Sequence, residues 1–206
     1  MNVVLQAPSR AQAADSDWCD ADARNAAAAR VTTSIVPGAS LLPITRFLDA
    51  TVYPLVVWDR RALDLRLATM VGPATTMESA LHLVETGAPS VLRVAGMVGI
   101  GAPTPARRAL RPLRALARTI AMFPDYPIRS PLAAEEFDAQ GTALVVADAK
   151  NIVVHVPGDS GVRPGSHLSA LWRRVYEERL FEWAMRSDAP VYGLDLVEGL
   201  HPGVQG

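Results

Sequence analysis

Four side chains with nucleophilic or acid–base character crowd one short stretch: His155, Asp159, Ser160 and His167. A serine beside a histidine base that an aspartate orients is the arrangement of nucleophilic catalysis. These residues therefore define a candidate catalytic set, with Ser160 as nucleophile and His155 or His167 as base. The competing reading is conformational. Pro157-Gly-Asp-Ser-Gly161 is rich in residues that favour tight turns through local hydrogen bonds. The second candidate is Gly96-Met-Val-Gly99-Ile-Gly101, between a β-prone run and a helix start. Bare amides and the positive end of a helix dipole there would cradle an anion, with Arg107 and Arg108 adding charge. Gly96, Gly99, Gly101, Arg107 and Arg108 are thus the candidate anion-binding residues. The glycine spacing is neither the dinucleotide fingerprint nor a Walker loop.

Gly158-Asp-Ser-Gly161 resembles the tetrapeptide around the nucleophile of chymotrypsin-like serine proteases. Those enzymes are two-barrel β proteins, whereas a long helix follows here and no catalytic-histidine motif precedes it. The chain is therefore not assigned to that family, and only a generic serine hydrolase reading of Ser160 remains. Residues 137–160 are faintly similar to part of a PAS or GAF domain. No residue role follows from that likeness.

Other chemistry finds little support. His155 and His167 belong to different elements, so no metal site is expected, and the sequence leaves any cofactor unknown. Asp15, Asp17, Asp20 and Asp22 lack the spacing and turn glycine of a calcium loop. Cys19 is the only cysteine, which excludes an internal disulfide and a cysteine zinc site. That fits a reducing cytoplasm. No signal peptide or membrane span is expected. A formal net charge of -1 gives no electrostatic basis for binding nucleic acid. Lys150 is the only lysine among arginine-rich basic residues, a bias of GC-rich coding rather than a chosen catalytic amine.

The elements that would position these residues read as α+β. With 206 residues, half of them hydrophobic, the chain fits one domain with a real core. Residues 1–30 read as an N-terminal arm or surface helix, 31–200 as the domain and 201–206 as a tail. Val31 to Val36 is β-prone. Ser40 would cap a helix carrying Leu41 to Leu48. Val52 to Trp58 reads as a strand, and alternating Leu63, Leu65 and Leu67 as its hairpin partner, giving a hairpin over 52–70. Thr75 with Glu78 forms a capping box. Ser90 to Ala95 is a strand. A helix starting at Thr104-Pro105 carries Arg107, Arg111, Arg114 and Arg118 as a stripe, with a kink or a fresh start at Pro112.

Thr142–Ala147 and Ile152–Val156 form a second hairpin around Asp148-Ala-Lys-Asn151. A helix over 166–186 then presents Leu168, Trp172, Val175, Tyr176, Leu180 and Trp183 on one face. Arg174–Glu178 and Glu182–Arg186 lie opposite as surface pairs. Val191 to Val197 reads as a last strand. The expected architecture is a mixed or mostly antiparallel sheet of about five to seven strands, with helices mainly on one face. The expected function is a cytoplasmic, non-catalytic module. It would bind a small anionic ligand, or self-associate or meet a protein partner through the 166–186 helix. The alternative is an enzyme acting on a phosphorylated or nucleotide substrate through 96–101.

Overall fold

The computed structural model describes residues 5, 18, 20–69, 72–124, 131–148, 150–161 and 167–187. Among them is one mixed sheet of seven strands with six α-helices, a single α+β domain. The strands are β1 (Ser40–Leu41), β2 (Thr45–Phe47), β3 (Ala50–Trp58), β4 (Leu92–Gly99), β5 (Arg118–Phe123), β6 (Ala143–Ala147) and β7 (Ile152–Val156). Their order is β1-β3-β4-β5-β6-β7, with β2 also pairing β3. The centre is parallel, β4 to β5 to β6, and antiparallel pairs flank it, β3 with β4 and β6 with β7.

Helix α1 (Ala21–Ile35) covers one face of the sheet. Asp20 caps it by accepting from the Asp22 amide at 3.0 Å. Ala27, Ala28 and Val31 pack on Tyr53, Leu55, Val98, Ile120 and Val145. The β-prone run from Val31 is helical, not extended. Thr32 and Thr33 turn their hydroxyls back to the carbonyls of Ala28 and Ala29, at 2.8 and 2.7 Å. That satisfies them inside the helix and offsets their β-branched preference.

The opposite face carries most of the helices: α2 (Arg60–Ala68), α4 (Pro103–Leu110), α5 (Pro131–Ala139) and α6 (His167–Arg186), with α3 (Met77–Glu85) packed on α6. Leu110, Leu113, Phe123, Phe137, Leu180 and Phe181 form the centre of that core. Three local expectations change here. Residues 40–47 form two short strands on β3, where a helix capped by Ser40 was expected, because Pro43 interrupts the helical pattern. Residues 60–68 form a helix, because the Asp59 carboxylate caps the Ala62 amide at 2.9 Å. The antiparallel partner of β3 is β4, so Leu65 is left exposed. The helix α3 cap sits one residue later than expected, with Thr76 and Ser79 exchanging hydrogen bonds.

Helix α4 starts at Pro103 and ends at Leu110, where a short 3₁₀ helix (Arg111–Ala115) containing Pro112 takes over. The proline withholds an amide and clashes with the preceding turn, so the α-helix stops. The expected arginine stripe is therefore split among α4, the 3₁₀ turn and the first residue of β5. Val191–Val197 lies outside the described residues. No described helix is long and apolar enough to cross a membrane.

Candidate functional site

The glycine-rich segment divides at the end of β4. Gly96 and Gly99 lie within the strand and are buried. A Cβ on Gly99 would sit 2.8 Å from Leu110 Cδ2, and one on Gly96 would sit 3.1 Å from Leu55 Cδ1. The missing side chains let α4 and the neighbouring strand approach β4, so both glycines serve packing. Only Gly101 faces open space.

The helix that follows is a poor anion cradle. Its cap, Ala102, makes no side-chain hydrogen bond, and Pro103 and Pro105 occupy its first and third positions. Proline has no N–H, so Thr104 alone offers an amide among the first three residues. Arg107 turns to Glu136 at 2.5 Å and Arg108 is exposed. Neither lines the neighbouring cleft.

That cleft, about 450 Å³, is lined by Arg46, Asp49, Thr51, Ile100 and Gly101, and by Ala102, Pro105, Ala106 and Ala109 of the α4 entry. Arg46 and Thr51 are cross-strand partners in the β2–β3 ladder. Arg46 and Asp49 approach to 3.9 Å, and both keep substantial exposure. The cleft thus has an apolar floor and a charged rim. It stands at the carboxyl end of β4, the end of parallel strands where open α/β sheets receive ligands.

The 157–161 loop is clamped to the opposite end of the sheet. The Asp159 carboxylate pairs with Arg114 and accepts from the Gly161 amide at 2.8 Å. The Asp159 amide donates to Gly141 O at 3.0 Å. Arg118 donates to Pro157 O at 2.6 Å and to Ile35 O at 3.2 Å, tying the loop to the end of α1. Gly161 has φ +76°, and a Cβ there would collide with the Ala117 carbonyl. His155 and Ser160 are both exposed, and neither side chain hydrogen-bonds to a described residue. Among the described residues Asp159 is therefore engaged by Arg114 and the Gly161 amide. His167 opens α6, and its side chain lies outside the described residues. Among the described residues no three His, Cys, Asp or Glu side chains gather as a metal site.

A polar constellation that the sequence reading missed lies beneath α6. Glu178, 1% exposed, accepts from both terminal nitrogens of Arg66, at 3.0 and 3.3 Å, and from the Ala74 amide at 3.0 Å. Arg174 reaches the same carboxylate at 3.1 Å and donates to Pro89 O. The Arg174–Glu178 pair was expected on the surface; it is buried, because α6 packs on more than one side. Burial pulls the Arg174 guanidinium below its ordinary range, against the opposing pull of Glu178. Next to it, burial pushes the Glu177 carboxyl up, opposed by the Ser90 hydroxyl and by Arg174. The available signal was Glu177-Glu178 set among Val175, Leu180 and Phe181. Carboxylates embedded in apolar sequence need buried cationic partners. Neither residue lines the cleft, and the cluster joins α2, α6 and the 72–74 and 89–90 segments.

No protein family, curated protein or solved structure matches this chain at a significant level.

Proposed function

We propose that this protein is a cytoplasmic, non-catalytic module that takes a small anionic ligand in the cleft at the end of β4. The observation that carries this reading is the pairing of that open cleft, where Arg46 stands on the rim beside Asp49, with a 157–161 loop whose aspartate is engaged by Arg114 and Gly161. A relay through Ser160 needs a carboxylate free to orient a histidine. A phosphate-handling enzyme built on 96–101 needs amides that Pro103 and Pro105 do not supply. The single cysteine is consistent with a reducing compartment.

Association through the 166–186 helix is the weaker reading. Leu171, Val175, Leu180 and Phe181 lie inside the fold, and among the described side chains of α6 Met185 is the large apolar one left exposed.

The test is a thermal-shift screen of small anionic metabolites against the wild type, Arg46→Gln and Ala102→Phe. Ala102 is exposed, so the phenylalanine obstructs the cleft mouth without entering the core. A stabilising ligand whose effect is lost in both variants supports the reading. A screen in which no anion stabilises the wild type, together with fluorophosphonate labelling of Ser160, replaces it with the hydrolase.

A further inference from the structure

The rim of the β4 cleft carries two opposite charges side by side. Arg46 and Asp49 both line it, and Arg46 Nη2 stands 3.9 Å from Asp49 Oδ1. At that distance, with the carboxylate 97% exposed, the pair contributes little to stability. Neither side chain has another hydrogen bond or ion pair among the described residues. Both heads are therefore available to a ligand.

The hairpin fixes their spacing. Arg46 is held in β2 opposite Thr51 of β3, and Phe47 pairs with Ala50 across the turn Leu48-Asp49. Leu48 is the one non-glycine with positive φ among the described residues, at +54°. A leucine in the left-handed region is strained and persists only where its surroundings hold it. Here the core holds it, because Leu48 packs against the cluster that contains Phe47 and Ala50. The turn thus anchors its apolar side chain on the core and sets Asp49 on the cleft rim beside Arg46.

This geometry restricts what the cleft can take. An oxyanion that meets the Arg46 guanidinium comes close to the Asp49 carboxylate, and the two like charges repel. A ligand that carries an ammonium beside its oxyanion turns that repulsion into attraction. In an α-amino acid one carbon joins the two groups, so the nitrogen and the carboxylate oxygens lie about 3 Å apart. That is close to the spacing of the two side-chain heads. The cleft lining away from the rim is aliphatic, with Ile100, Pro105, Ala106 and Ala109.

We propose that the ligand of this cleft is an aliphatic α-amino acid. Its carboxylate meets Arg46, its ammonium meets Asp49, and its side chain lies on Ile100 and the α4 entry. This rests on the anionic reading of the cleft, whose anionic group is here the carboxylate.

The experiment is an NMR titration of the full chain at neutral pH, following the Gly101 amide in the wild type, Arg46→Gln and Asp49→Asn. Constant ionic strength keeps general screening out of the readout. The probes are L-leucine, 4-methylpentanoate, which lacks the ammonium, and 3-methylbutylamine, which lacks the carboxylate. Both substituted side chains are substantially exposed, so neither substitution disturbs the core. In the wild type leucine saturates the shift and binds at least about ten-fold tighter than either analogue, as expected when two charge-assisted contacts form together. Asp49→Asn removes the advantage of leucine over 4-methylpentanoate. Arg46→Gln weakens both of these carboxylates. Equal affinities for leucine and 4-methylpentanoate in the wild type, or an advantage that survives in Asp49→Asn, overturn the amino-acid class and leave the anionic reading standing. Tighter binding of the amine than of leucine overturns both. If none of the three probes saturates, the amino-acid class falls, and the anionic reading falls with it only where the wider anion screen is empty as well.

Discussion

Arg66 of α2 and Glu178 of α6 meet through two hydrogen bonds, at 3.0 and 3.3 Å, with side chains only 7% and 1% exposed. They are 112 positions apart in sequence and lock two helices that share one face of the sheet. Glu178 also holds Arg174 and the Ala74 amide, so its removal leaves two buried guanidiniums without an acceptor. Glu178→Ala is expected to cost about 3–5 kcal/mol. The exposed Glu182–Arg186 pair, in contrast, contributes at most about 0.5 kcal/mol. Urea unfolding of Glu178→Ala and Glu182→Ala, at low and at high salt, checks both numbers. Salt should erode only the second. Equal, small effects would mean that the buried cluster holds nothing together.

Glu177 gives the fold a pH dependence of defined sign. Burial raises its folded pKa above the ordinary 4.5. The folded state therefore binds the proton more tightly than the unfolded chain, so this group's contribution is greatest at low pH. Stability falls as pH rises through the window above 4.5. Ser90 Oγ lies 2.8 Å from Glu177 Oε2 and 2.7 Å from Leu92 O, and its one proton serves one of them at a time. A glutamine at 177 can donate to Ser90 and free that proton for Leu92. Glu177→Gln is expected to remove this slope and to raise stability at neutral pH by about 1 kcal/mol. Urea midpoints measured from pH 4 to 8 decide it; an unchanged slope would exclude Glu177 as its source.

Much of this framework was legible because local signals agreed. The run Val52 to Trp58, the hairpin 142–156 and the helix after it carry β-branched or helix-forming residues with turn residues at their ends, and each forms as read. The errors fall where two local signals compete. Alternating Leu63, Leu65 and Leu67 suits a strand, but Asp59 caps a helix and Ala62, Leu63 and Arg66 face inward at helical spacing. The run 31–36 is β-prone, yet it continues an alanine helix already nucleated upstream. The site was less legible. Glycine spacing says nothing about whether a backbone faces a ligand or a leucine, and at Gly99 it faces Leu110.

The contact between Gly99 and Leu110 leads to a further prediction. An added methyl at 99 would press on three carbons of Leu110 within 2.8–2.9 Å, and Leu110 is fully buried. Gly99→Ala is expected to destabilise the protein by about 1–3 kcal/mol through overpacking. Leu110→Ala alone opens a cavity and costs about 2–5 kcal/mol. The double variant should be more stable than the sum of the two losses, because the methyl fills part of the space that leucine leaves. A double-mutant cycle in denaturant measures this coupling. Strict additivity would separate the two positions and remove the packing explanation for Gly99.

The clamp on the 157–161 loop makes the last prediction, which separates structural from catalytic use of that loop. Asp159 meets Arg114, and Gly161 holds φ +76° against the Ala117 carbonyl, so both residues are required by conformation. Gly161→Ala adds left-handed strain to a direct collision with backbone, and about 2–3 kcal/mol is the expected loss. Asp159→Asn keeps the bond from the Gly161 amide and loses only the charge of a partly exposed pair, so about 1 kcal/mol or less is expected. Ser160→Ala and His155→Ala alter exposed side chains without partners among the described residues and should be neutral within about 0.5 kcal/mol. Thermal unfolding of the four variants ranks them. A loop used for catalysis would reverse the pattern in an esterase assay: Ser160→Ala would abolish turnover while leaving stability untouched. If the wild type hydrolyses activated esters and Ser160→Ala does not, the clamp positions a nucleophile. If neither turns over substrate, the ranking by stability alone assigns Asp159 and Gly161 to the fold.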